Sequence, residues 1–330
     1  MAIVLDGMGS DDHPLPEIEA ALLASRELAE EIIIVGEENL IGPLLAKQNN
    51  IGSKIRLVHA PDLLEMGDKA VESSRKKPRN SMAVGLELVK SGEATAFVTA
   101  GNTGAAMFNS LLKLGRIKGI LRPALPGLFP VATGRCVVLD IGANVDCRPE
   151  FLYQFAVMGS IYAQKVLGVA NPRIGLLSNG EEPGKGNQLV KETYPLLEAS
   201  SLNFIGNVEG KEVFAGKADV VVTDGFVGNV MLKSTEAAAK LLTDSLKNAL
   251  MSSLRTKIGA ALAKPAFNDL KKLMDPNEVG GAPLLGIDGM SIVGHGRSNG
   301  YALYNAIKVA RQGVDSNLIA AIKESLQSVL

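Results

Sequence analysis

Ala218-Asp-Val-Val-Val-Thr-Asp-Gly-Phe-Val-Gly-Asn229 carries the pattern that decides the fold. A run of β-branched residues, Val220–Thr223, stops at Asp224-Gly225, and Gly228-Asn229 follow before an amphipathic stretch begins at Ser234. Unbroken valine without polar alternation marks a strand buried on both faces. The Asp-Gly and Gly-Asn pairs mark a tight loop that opens a helix. The same strand–loop–helix pattern recurs in both directions along the chain. Strands are expected at Ala2–Leu5, Ile32–Val35, Ile55–Val58, Ala96–Thr99, Cys136–Leu139, Arg173–Leu177, Asn203–Ile205, Val220–Thr223 and Met290–Val293. Helices are expected at Leu15–Leu28, Ser81–Lys90, Ala105–Leu114, Phe151–Val166, Gly186–Ala199, Ser234–Leu262 and Gly300–Arg311. Such alternation predicts an α/β fold with three α/β/α layers about a mostly parallel sheet. No internal repeat or low-complexity linker divides the chain, so residues 1–330 read as one catalytic unit, with two lobes around a cleft as its expected form.

Six loops share the glycine-rich character of the first. They are Asp6-Gly-Met-Gly-Ser-Asp11, Ala100-Gly-Asn-Thr-Gly104, Asp140-Ile-Gly-Ala-Asn144, Asn179–Asn187, Asp224–Asn229 and Gly294-His-Gly-Arg-Ser298. Glycine amounts to 35 of 330 residues, well above the ~7% average. In open α/β sheets ligands bind beyond the carboxyl ends of the strands. Glycine there lets backbone N–H groups approach an anion, and the helix that follows adds positive potential. Six such loops point to phosphate or another oxyanion.

Composition removes several alternatives. Hydrophobic residues make up 46% of the chain and charged ones 21%, which excludes intrinsic disorder. Thirty-four Lys and Arg against 35 Asp and Glu leave a net charge of −1, so no global basic field exists to hold nucleic acid. Tryptophan is absent, which leaves little for base stacking. Cys136 and Cys147 form no CxxC pair, and a reducing cytoplasmic setting fits them. The start, Met1-Ala2-Ile3-Val4-Leu5-Asp6, lacks a basic n-region, so no secretory signal is expected. Neither a GxxxxGK[ST] loop nor a complete GxGxxG fingerprint is present. His13, His59 and His295 are too scattered to build a metal centre with two cysteines.

The candidates that remain each read two ways. Lys185 stands between glycines at the opening of a helix, as a phosphate or oxyanion partner or as a solvated loop lysine. Asn229 is an amide donor to a substrate oxygen or a helix cap. Asn102, Thr103, Asn144 and Asp224 share that double reading. Asp6, Gly9, Gly104 and Gly228 belong to the same loops as candidate substrate contacts, and His295, flanked by glycines, joins them. Residues 233–274 form a different feature. Leu242, Leu246, Leu250, Leu254, Ile258 and Leu262 recur at every fourth position, and Lys247, Arg255, Lys257 and Lys264 appear with no acid between them. This reads as a projecting amphipathic segment suited to an anionic membrane surface, to an acidic partner protein, or to a core or dimer contact. Leu250, Leu254, Arg255, Lys257 and Ile258 are its candidate contact residues.

Taken in order, these loops resemble those of the bacterial phosphate acyltransferases. The resemblance runs through nearly the whole chain. It includes Gly115-Arg-Ile-Lys-Gly-Ile-Leu-Arg-Pro-Ala-Leu125, Asp140-Ile-Gly-Ala-Asn-Val-Asp146, Lys185-Gly-Asn187, Phe204-Ile-Gly-Asn-Val-Glu209 and Gly280-Gly-Ala-Pro-Leu-Leu-Gly286. The family opening, usually Asp-Ala-Met-Gly-Gly-Asp, carries Gly7 and Ser10 here, and Arg297 stands where a serine is usual. The resemblance implies a fold like the isocitrate and isopropylmalate dehydrogenases and the phosphotransacetylases. It implies transfer of a long acyl chain from acyl carrier protein to inorganic phosphate, with Lys185 and Asn229 as the catalytic pair. It also implies no metal or other cofactor, a homodimer, and a cytoplasmic protein bound peripherally to the inner face of the cell membrane. A glycerol-3-phosphate acyltransferase would act downstream. The rival readings are a short-chain phosphotransacetylase using coenzyme A and a silent membrane scaffold.

Overall fold

The computed structural model describes residues 1–28, 30–48 and 54–327, with the side chains of 269–271, 273, 274, 276, 326 and 327 outside that description. The strands in chain order are β1 (Ala2–Asp6), β2 (Glu31–Gly36), β3 (Ile55–His59), β4 (Ala96–Thr99), β5 (Pro126–Val131), β6 (Gly134–Leu139), β7 (Ile174–Leu177), β8 (Phe204–Val208), β9 (Val220–Val222), β10 (Gly281–Pro283) and β11 (Met290–Gly294). They form two sheets, of order β10-β11-β4-β1-β2-β3 and β5-β6-β9-β7-β8. Both are parallel except at one edge, where β10 runs antiparallel to β11 and β5 antiparallel to β6.

The helices begin with α1 (Leu15–Glu27), α2 (Glu38–Ala46), α3 (Ala70–Lys76), α4 (Ser81–Lys90), α5 (Thr103–Lys113) and α6 (Pro149–Lys165). They continue with α7 (Gln188–Glu198), α8 (Gly210–Ala215), α9 (Gly225–Leu250), α10 (Leu254–Leu262), α11 (Lys264–Met274), α12 (Pro276–Val279), α13 (Gly300–Asp315) and α14 (Leu318–Gln327). The expected mostly parallel α/β architecture is therefore present. One apolar cluster includes Ile3, Leu5 and Ile34 of the first sheet and Val137, Leu139 and Val220 of the second. Helix α6 belongs to it and buries residues on all its faces, among them Phe151, Phe155, Met158 and Tyr162, as expected of a helix that is apolar all round.

Two helix expectations change. Helix α9 begins at Gly225 rather than Ser234, because the Asp224 side chain accepts the Val227 N–H and caps it. The leucine row from Leu242 to Leu262 does not lie on one helix. The chain breaks at Met251–Ser253, and Ser253 with Thr256 forms a capping box that starts α10. Helix α10 packs against α9 and α11 and buries none of its side chains. Leu254 is 75% exposed, Ile258 56% and Leu262 81%. Arg255 and Lys257 are exposed beside them, and Leu250 is half-buried at the turn. No described helix is long and apolar enough to cross a membrane.

Candidate active site

The loops that leave the carboxyl ends of the strands are built around buried carboxylates. Asp140, at the end of β6, is wholly buried. It accepts N–H groups from Leu125, Gly142, Ala143 and Asn144, and the Asn144 amide at 2.9 Å. Burial raises its pKa, against the pull of these donors. Asn144 directs its amide to Asp140 and to the Pro123 carbonyl at 2.7 Å, so both amide hydrogens shape the loop. The Asn144 carbonyl in turn accepts the Gly225 N–H at 2.8 Å, which fastens the Asp140 loop to the start of α9. Gly228 is buried in that contact. A Cβ there would stand 1.9 Å from the Asp140 carbonyl oxygen, and its N–H donates to Asp224 within the helix. Gly228 thus permits close packing, and its N–H is not open to a ligand.

Asn229 follows at once and is exposed. Its amide lies over Gly142, with Nδ2 at 3.4 Å from where a Cβ of that glycine would stand. Lys185 is exposed on the loop after β7, and its stem lies across Gly180. The loop is held from below. Asn207 of β8, 2% exposed, donates to the Glu182 carbonyl at 2.8 Å, which also accepts the Lys185 N–H at 3.0 Å. Asn187 caps α7 through Val190. Strands β7 and β9 pair directly, and neighbouring strands lie about 4.8 Å apart. Lys185 and Asn229 therefore leave adjacent loops on one rim. Neither polar end makes a hydrogen bond or ion pair among the described residues.

Across from them stand the loops of the first sheet. Asp6 is buried at 1% exposure and accepts Thr99 Oγ1 at 2.6 Å and the Met8 N–H at 3.1 Å. Gly9 sits so close to Ala100 and Gly101 that a Cβ would meet their nitrogens at 3.0 and 2.9 Å. Asn102 caps α5 through Ala105 and donates to the Met66 and Asp68 carbonyls. Asp6, Gly9 and Asn102 thus hold this loop pair together, while Gly104 packs toward Ala70. Thr103 is exposed on the same turn.

Glu17 on α1 was not legible as a site residue. A single acid in a helix carries no sequence signal, yet it is wholly buried and accepts the Ser10 N–H at 2.9 Å. Burial pushes its carboxyl up from 4.5 to about 7. Between those values the folded protein keeps a proton that the unfolded chain has released. Stability therefore falls as pH rises through that window. Glu17→Gln, which keeps the acceptor without the charge, should raise stability above neutral pH by up to about 3 kcal/mol. The difference should vanish in acid, as thermal melts at both ends of the range would show.

A cavity of about 190 Å³ joins the two sheets. Thr103, Ile141 and His295 bound it beside the loops, β5 supplies Pro126 through Pro130, and α9 supplies Leu232, Thr235, Glu236 and Ala239. His295 is exposed at the cavity edge, and partial desolvation, with Lys233 and Arg297, holds its imidazole below the usual range while Glu236 opposes them. Burial pushes the Cys147 thiol up to about 12, so it is no nucleophile at neutral pH, and Cys136 is core. Among the described residues no cluster of three or more His, Cys, Asp or Glu is placed to hold a metal ion.

The sequence pattern of the family described as fatty acid synthesis protein matches residues 1–321. A phosphate acyltransferase of Elusimicrobium minutum is 48% identical over 327 residues, covering 99% of this chain and 96% of that one. Among solved structures, a phosphotransacetylase from Streptococcus pyogenes superposes with a TM-score of 0.64 at 20% identity, covering 96% of this chain and 94% of that one. A 4-hydroxythreonine-4-phosphate dehydrogenase from Klebsiella pneumoniae gives 0.53 at 14% identity, covering 94% and 98%. These likenesses agree with the expected dehydrogenase- and phosphotransacetylase-like fold.

Proposed function

Because this chain belongs to the phosphate acyltransferase family, we propose that it moves a long acyl chain from acyl carrier protein to inorganic phosphate. The observation that carries the reading is that Lys185 and Asn229, one cation and one amide, leave the loops after the paired strands β7 and β9, both exposed and without a partner among the described residues. A phosphate oxygen attacks the thioester carbonyl carbon, and the carbonyl becomes a tetrahedral oxyanion. The oxyanion collapses, the C–S bond breaks, and the carrier thiolate leaves and takes up a proton. The products are an acyl phosphate and free acyl carrier protein.

Phosphate is already partly dianionic near neutral pH, so no strong base is needed. The protein's task is to bring two anionic reactants together, and orientation of this kind supplies about 7–11 kcal/mol. Lys185 neutralises phosphate and the oxyanion, and Asn229 donates to one of those oxygens. Thr103, exposed at the start of α5, serves the phosphate. Asp6, Gly9, Asn102, Asn144, Asp224 and Gly228 act behind them by holding the loops.

The phosphotransacetylase likeness supports a second reading, short-chain transfer with coenzyme A. One assay separates the two: incubate the protein and phosphate with palmitoyl-acyl carrier protein and, separately, with acetyl-coenzyme A, and follow thioester loss. Consumption of the first alone upholds the proposal. Consumption of the second alone favours the rival, and consumption of neither favours a scaffold.

Leu254, Ile258 and Leu262 face outward on a segment with Arg255, Lys257 and Lys264. This supports peripheral attachment to an anionic membrane from the cytoplasmic side, where each basic residue contributes about 1 kcal/mol. Leu254→Glu should weaken sedimentation with phosphatidylserine vesicles while leaving turnover of dissolved substrate intact. Unchanged sedimentation would make the segment a contact for acyl carrier protein or for a second copy in a homodimer. Transfer of the acyl phosphate to a glycerol-3-phosphate acyltransferase is the expected next step.

A further inference from the structure

We infer that the cavity between the two sheets is the binding site of the acyl chain. The inference rests on the transferase reading and adds to it where the apolar part of the substrate lies. The cavity reaches Ile141, one residue from the Gly142 backbone over which Asn229 lies. A chain whose carbonyl sits at the Asn229 amide has this opening directly beside it.

Most of the walls are apolar, and the two acids on them are turned to partners. Glu236 pairs with Lys233 at 2.9 Å, and Asp275 accepts the Asn277 backbone N–H at 3.0 Å. At about 190 Å³ the space exceeds the ~150 Å³ of a dry engineered cavity that takes up benzene. It therefore takes the proximal methylenes, not the whole of a long chain. The α9 face that lines it, through Leu232 and Ala239, continues at helical spacing to Leu242 and Leu246. Those two leucines are 67% and 42% exposed, and they offer the distal methylenes an apolar track. Polar or charged ligands have no such match. Transfer of buried methylenes from water favours an alkyl chain by roughly 0.8 kcal/mol each.

Ala282 offers the means to test this. Both it and the preceding Gly281 line the cavity, but a Cβ at Gly281 would meet Ile292 and Ala306, so strand alternation sets the Ala282 side chain on the opposite face. Ala282→Phe fills the space from β10, and Ala239→Phe fills it from the half-exposed face of α9. Each variant should lower the ratio of kcat/KM for palmitoyl- over butyryl-acyl carrier protein by at least about tenfold, the scale on which pockets discriminate methylenes. Circular dichroism melts identify any variant that fails to fold, and the second wall then supplies the test. A ratio unchanged in a folded variant overturns the inference. So does an unchanged ratio accompanied by a changed sedimentation mass, which would make the cavity a packing surface between copies. Binding of dansyl-undecanoic acid keeps the two readings apart. If the wild type consumes no thioester, the transferase reading fails by itself. Probe binding that Ala282→Phe weakens about tenfold still upholds an alkyl site on the same scale, and binding that it leaves untouched overturns it.

Discussion

Lys185→Ala should lower kcat/KM at least about a hundredfold, the usual loss when one oxyanion partner is removed. The melting temperature should stay where it is. The ammonium makes no ion pair among the described residues, and the side chain is exposed. Removing it therefore opens no cavity and strands no buried charge. Loss of turnover without loss of stability separates a cation used in chemistry from one used in folding. Near-normal turnover in the variant would remove Lys185 from the mechanism.

Gly228→Ala should act in the opposite manner, through structure first. The added methyl would stand 1.9 Å from the Asp140 carbonyl oxygen. That carbonyl has no room to retreat, because the Asp140 side chain is held by four backbone N–H groups and the Asn144 amide. The Asp140 N–H is itself bonded to the Thr223 carbonyl. The first turn of α9 must move instead, and Asn229 moves with it. Overpacking of this kind costs about 1–3 kcal/mol or more, and displacement of a reacting group by an ångström lowers turnover by roughly a hundredfold. Thermal melts and steady-state rates should both fall. Gly259→Ala on α10, where a Cβ meets nothing within 4 Å, is the matched control and should be neutral or slightly stabilising. Wild-type behaviour of Gly228→Ala would contradict the packing described.

Nine of the described strands were legible because each carries a short apolar run. Their division between two sheets was not, since Ile32–Val35 and Val220–Val222 look alike locally and differ only in distant partners. The two strands that escaped notice explain themselves. Pro126-Gly-Leu-Phe-Pro-Val131 and Gly281-Ala-Pro283 carry proline and glycine in place of an unbroken apolar run, yet both are sheet edges, where a missing N–H costs no ladder bond. The loops were legible from glycine, but the duties of their residues were not. Asn102, Asn144 and Asn229 are one residue type in similar loops. The Met66 and Pro123 carbonyls, remote in sequence, turn the first two into braces. Asn229 has no such neighbour and faces outward.

The glycine content acquires a sharper meaning in this light. At Gly9 and Gly228 it serves the approach of one loop to another, so it builds the frame that presents Lys185 and Asn229. Phosphate meets the rim that this frame holds in place.

The central claim is that phosphate captures the acyl group on that rim. Phosphorus NMR of the protein with palmitoyl-acyl carrier protein and inorganic phosphate, read together with free thiol, tests it most directly. The account predicts one acyl phosphate for each thiol released. Free palmitate with phosphate unchanged, or no thiol released, would contradict it.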